Sequence, residues 1–176
     1  MADAITKNAE QVWWNAANAP WKIQCRPFRV SPHVYYVGNT WVGAYLLDGG
    51  DELALIDTTI FEDVYQVIEG IWELGFDPRK IRNILLSHCH NDHSGGSNHI
   101  KSISGAKIWQ SREDTAFMTT PANLDINDVD LGGLFKVVPY SVDAFFSDDQ
   151  PLQIGNLTVR TRLTPGVTVH SRISPS

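Results

Sequence analysis

Four side chains able to hold a metal ion crowd into one short stretch: His88, His90, Asp92 and His93, within Leu85-Leu-Ser-His-Cys-His-Asn-Asp-His-Ser-Gly-Gly96. Imidazole nitrogen and carboxylate oxygen are donors that borderline cations such as zinc accept. Spacing adds direction. Residues two apart diverge on a helix but share a face in extended chain, so His88 and His90 point the same way off a strand end. Asp92 and His93 are neighbours and both face inward only if the chain bends there. The geometry expected is two paired donor sets, His88 with His90 and Asp92 with His93, aimed at two adjacent ions. Such a pair of ions can clamp a substrate oxygen and activate a water. The helical pattern of histidines at i and i+4 used by some metalloproteases is absent, as is a Gly-x-Ser-x-Gly elbow.

Strands and helices must carry this bend. Ile84-Leu85-Leu86 reads as the buried strand feeding it, over about 84–87. Earlier strands are expected at about 27–30, 34–38, 42–48 and 53–57, the last two joined by Asp48-Gly-Gly-Asp51 as a hairpin. Val64, Val67, Ile68, Ile71 and Trp72 recur at helical spacing, so residues 61–74 form a helix that Gly75 stops. A short helix should follow Gly95-Gly96, with His99 solvated or capping. A strand at 107–110 and a helix at 112–118 come next, then a long irregular span over 119–142. Strands at 145–146, 152–154 and 157–163 close the pattern, with Gly155-Asn156 as a turn. Residues 5–18 read as a helix or ordered arm whose Trp13 and Trp14 pack against the body.

His-x-His-x-Asp-His-Ser-Gly-Gly after Leu-Leu-Ser, with Val34-Tyr-Tyr-Val-Gly38 and Leu55-Ile-Asp-Thr58 upstream, resembles the metallo-β-lactamase superfamily. The wording around Arg26-Pro-Phe28 and Asp77-Pro-Arg-Lys-Ile81 is most similar to the third subclass of zinc β-lactamases and its relatives. The resemblance implies an α/β (α+β) fold: the N-terminal half, and the start of the second half, of an αββα sandwich. It divides the chain into an arm at 1–25, the domain at 26–166 and an atypical tail at 167–176. It implies two zinc ions, held by His88, His90, Asp92 and His93. Asp57 is expected beneath them, accepting the N–H of a ligating imidazole. Asp92 both ligates and orients the nucleophile, the catalytic role. The activity implied is hydrolysis of a β-lactam amide by a readied hydroxide. A cytosolic thioesterase or lactonase is the alternative, and an inactive fragment with a weak metal site is another.

The chain departs from that family after Leu163-Thr-Pro-Gly166. A ligand histidine follows the glycine in the family; here Val167 stands in that place, and His170 lies three residues on. The chain ends at Ser176, so the resemblance implies truncation, with a reading-frame change near Gly166 as one origin. An uncovered sheet face would then favour self-association.

Composition bounds the rest. The chain has 176 residues and a net charge of −6, with no basic run, which argues against a nucleic-acid surface; a small-molecule substrate is what the resemblance implies. Two cysteines, Cys25 and Cys89, make no disulfide framework. Strand parity turns Cys89 away from the histidines. No apolar run reaches membrane-spanning length, and no export signal opens the chain. The expectation as written is cytoplasmic, or secreted or periplasmic if a leader has been removed.

Overall fold

The computed structural model describes residues 2–119, 138–164 and 172–175. Their backbone builds a helix layer and two stacked sheets. The larger sheet has seven strands in sequence order: β1 (Phe28–Ser31), β2 (Val34–Tyr36), β3 (Tyr45–Asp48), β4 (Leu53–Ile56), β5 (Ile81–Leu85), β6 (Lys107–Gln110) and β7 (Ala144–Phe145). The first four run antiparallel; β4 through β7 run parallel. The change of sense follows the connections. Short turns allow antiparallel neighbours, whereas α2 (Val64–Glu73) and α4 (Ser97–Ser104) provide the crossovers that parallel strands need. The smaller sheet is antiparallel, ordered β10 (Arg172–Pro175), β9 (Leu157–Arg162), β8 (Leu152–Ile154). Residues 172–175, assigned from sequence to an atypical tail, thus pair in register with β9.

The apolar periodicity places the core. Val64, Val67 and Ile71 of α2 and Ile100 of α4 pack on Leu46, Leu55, Ile84 and Ile108. On the opposite face, Leu47, Ala54 and Leu85 meet Ile154 and Val159 of the small sheet. The central strands β4 and β5 are buried on both faces, as parallel strands between two layers are. The two hairpin turns touch: Asn156 N–H donates to the Gly49 carbonyl.

Several expectations need adjusting. The strand before the metal bend is Ile81–Leu85 and ends two residues earlier than expected, because Ser87 N–H turns to bond the Asp57 carboxylate. Helix α2 starts at Val64; Phe61–Asp63 is a turn whose Asp63 is fully buried, not on a wet face. Trp72 is half exposed, with the Arg79 guanidinium 5.9 Å from its ring centroid. Helix α1 (Ala2–Asn18) docks through Ala16 against Ile23 and Ile60, and Trp13 and Trp14 stay partly exposed. Small residues make that contact, so the indoles are left at its rim.

Candidate metal centre

Two consecutive bends at strand C-termini make the site. After β4, Asp57 and Thr59 adopt left-handed backbone conformations, with φ of 56° and 60°. Such conformations cost non-glycine residues about 1–3 kcal/mol and persist only when neighbours hold them. Here the neighbour is the second bend, after β5. Thr58 N–H and its hydroxyl both donate to the His93 carbonyl, and Gly96 N–H donates to the Thr59 carbonyl. The glycines of the motif exist for closeness. A Cβ on Gly96 would lie 2.5 Å from the Thr58 carbonyl and 2.6 Å from Val64 Cγ2.

The second bend turns through the short helix α3 (Asn91–Ser94). It brings His88, Asp92 and His93 together, with one donor atom from each within 4.8 Å of the others. The His90 ring lies 4.8 Å from that of His88, edge to face, but contributes no atom to this converged group. His88 sits closer to His93, with ring centroids 4.2 Å apart.

Asp57 lies beneath, where it was expected. Its Oδ2 accepts from His93 Nδ1 at 2.8 Å and from the Ser87 hydroxyl at 2.7 Å, and its Oδ1 accepts from Ser87 N–H at 2.7 Å. With its hydrogen given to Asp57, the Ser87 oxygen accepts from His88 Nδ1, 3.0 Å away. One carboxylate therefore assigns both tautomers: Nδ1 carries hydrogen in His88 and His93, and both Nε2 atoms are left as donors to a cation. Sequence alone did not single out Ser87 as a link in this chain. Its position directly before the first histidine was the available signal.

The electrostatics agree. Burial pushes His88 down to about 4, helped by the neighbouring His93 and His90, so it is neutral at pH 7. Burial works against charge on His93 too, but the hydrogen bond and charge of Asp57, with Asp92 behind, outweigh it and raise its pKa. His93 Nε2 lies 3.5 Å from Asp92 Oδ2. In the neutral tautomer this sets one lone pair against another, an approach that only a proton or a metal cation makes favourable. Cys89 is turned inward, away from the donor group, and burial together with Asp114 pushes its thiol up to about 12. It stays a thiol. His99 is exposed, with its ring edge-on to Phe61 at 4.8 Å. A cleft of about 190 Å³ lined by Ser111, Arg112, Phe146 and Thr161 involves none of the donors. Val167 and His170 lie outside the described residues.

A helix layer on stacked sheets, with imidazoles and a carboxylate converging at the ends of parallel strands, defines an α/β sandwich that carries a group able to hold a metal ion. The family model of the metallo-beta-lactamase superfamily matches residues 42–172, and the chain belongs to that superfamily. Among solved structures it is similar to the FEZ-1 metallo-beta-lactamase from Legionella gormanii, at 26% identity and a TM-score of 0.77 over 87% of this chain. It is also similar to a metallo-beta-lactamase from Cronobacter sakazakii, at 29% identity and a TM-score of 0.73 over 84% of the chain. A third is the class B3 di-zinc metallo-beta-lactamase LRA-12 from an Alaskan soil metagenome, at 27% identity and a TM-score of 0.73 over 88% of the chain. The chain spans 58% of the length of each of these three. Among the described residues no helix is long and apolar enough to cross a membrane.

Proposed function

We propose that this chain carries the metal-binding half of a zinc-dependent hydrolase whose substrate is a small molecule with a β-lactam amide. One observation carries the reading: His93 Nε2 and Asp92 Oδ2 face each other with His88 beside them, while Asp57 holds the far side of the rings. The two imidazoles and the carboxylate of His88, His93 and Asp92 are donors that fit zinc, and His90 stands near enough to His88 to join a second ion. When bound, zinc lowers the pKa of water to about 7 and polarises a carbonyl oxygen. The chain's own residues do the rest. Asp57 and Ser87 keep His88 and His93 in the donor tautomer. Asp92, a third exposed, would help to hold the cation and would orient the proton of a water beside it. The structural relatives are named as β-lactamases, which favours an amide over a thioester or lactone.

The test is elemental analysis after dialysis against zinc, followed by β-lactam, lactone and thioester substrates with zinc present. Zinc retained by the parent and lost by Asp92→Ala, with β-lactam turnover, is the expected result. Equal zinc in both proteins would remove the metal assignment. Turnover of thioester or lactone alone would replace the substrate assignment.

A further inference from the structure

His90 is the donor that the converged group leaves out, and a residue four positions on holds its backbone. Ser94, the last residue of α3, is 3% exposed. Its hydroxyl lies 3.0 Å from the His90 carbonyl and 3.1 Å from the Cys89 carbonyl, and shares one hydrogen between them. The two acceptors differ in need. The His90 carbonyl already receives the N–H groups of His93 and Ser94, each at 3.0 Å. Cys89 is 2% exposed, and among the described residues its carbonyl has the Ser94 hydroxyl as its only donor. A buried carbonyl left without a donor is costly, so this bond is the one the bend depends on.

Geometry gives this pair of bonds a consequence. The Cys89 carbonyl lies in the peptide plane before His90, and the His90 carbonyl in the plane after it. The angle between those planes is set by φ and ψ of His90, here −60° and 144°. One hydroxyl bonded to both carbonyls therefore fixes the backbone of His90, and with it the direction in which the ring leaves the chain. Asp57 and Ser87 act on His88 and His93, whereas among the described residues no side chain hydrogen-bonds the His90 ring. We infer that Ser94 is a positioning residue for His90, holding it beside His88 as a donor for a second ion. The inference rests on the metal reading above. The alternative is an ordinary back-bond, in which the hydroxyl satisfies itself on the carbonyl one turn earlier, as serines in helices do.

Resolving the two ions separates these readings. Zinc is titrated into the metal-free chain in competition with a chromophoric chelator, so that the first and second equivalents are read apart, for the parent, Ser94→Ala and Ser94→Thr. Threonine keeps a hydroxyl able to bond a carbonyl one turn back. Circular dichroism checks that each variant folds. Ser94→Ala should weaken the second equivalent by about 3–10-fold, the loss of one hydrogen bond, and leave the first within about two-fold of the parent. Ser94→Thr should stay within about two-fold for both. Equal losses at the two equivalents, or no loss at either, would overturn the inference, because a merely structural serine lowers stability without singling out one ion. If Ser94→Thr does not fold, the alanine variant decides by itself; if Ser94→Ala does not fold, Ser94→Cys, whose thiol is a weak donor, takes its place. A parent holding fewer than two equivalents would remove the two-ion reading instead. The metal-free chain then decides the inference through the NMR coupling that reports φ of His90: changed in Ser94→Ala if it holds, unchanged if it does not.

Discussion

Replacing Asp57 with asparagine perturbs the point on which the site's chemistry converges. The carboxylate receives three hydrogens: from Ser87 N–H, the Ser87 hydroxyl and His93 Nδ1. An amide has one oxygen and one NH2. If the oxygen faces His93, the NH2 confronts Ser87 N–H, and two donors meet in a buried space. If the oxygen faces Ser87 N–H, the NH2 faces His93 Nδ1 and forces the hydrogen onto Nε2, the atom that would bind metal in the proposed site. Either arrangement leaves one buried donor without an acceptor, at about 1–3 kcal/mol. Losses of metal affinity on removing such supporting carboxylates are about 10–100-fold, or roughly 1.4–2.7 kcal/mol, the same range. Asp57→Asn should therefore bind zinc at least about ten times more weakly than the parent in a chelator competition. In urea the metal-free variant should lose about 1–3 kcal/mol. The ring nitrogens of His93 should change tautomer in the NMR spectrum. A variant that keeps parental zinc affinity and the parental His93 tautomer would refute the claim that this carboxylate prepares the donors.

Two further outcomes follow from buried contacts. Gly96→Ala should destabilise the fold by about 1–3 kcal/mol in urea unfolding, because its methyl group would press the Thr58 carbonyl and Val64 together in a packed site; a neutral result would show that the two bends are not in tight contact. Asp63 gives a pH signature. Burial, then the charge of Glu62, raise its pKa to about 7 despite a hydrogen bond from Asn39, and its Oδ1 is buried without a hydrogen-bond donor. The folded pKa lies above the unfolded one, so this group's stabilising contribution is full below about pH 4 and is lost as pH rises through about 7. Between pH 5 and 8 the parent should lose stability relative to Asp63→Asn, measured by urea unfolding at each pH; equal slopes would contradict the assignment.

Much of this was legible in residue order. Strand and helix positions followed from apolar spacing: Val64, Val67 and Ile71 face the core because they recur every three or four residues. The position of Asp57 under the imidazoles was legible too, through resemblance. Polar residues in apolar-looking surroundings were not. Asp63 falls off the apolar stripe expected for residues 61–74, yet it and Gln66 are both buried, since the segment at Pro20 and the loop at Asn39 close over them. Period alone cannot show which side a neighbouring element will cover.

The order of residues alone determined that His88, His90, Asp92 and His93 share one bend, since donors within six positions of one another need no long-range folding to be near. It could not rank them. That His88, Asp92 and His93 converge while His90 stays at the margin depends on how α3 turns the chain. The tautomers were decided further away still. Asp57 is 36 residues before His93, and the parallel pairing of β4 with β5 sets their strand ends side by side. A carboxylate reaches an imbedded N–H only through such pairing, so donor identity is a local property and donor readiness a tertiary one.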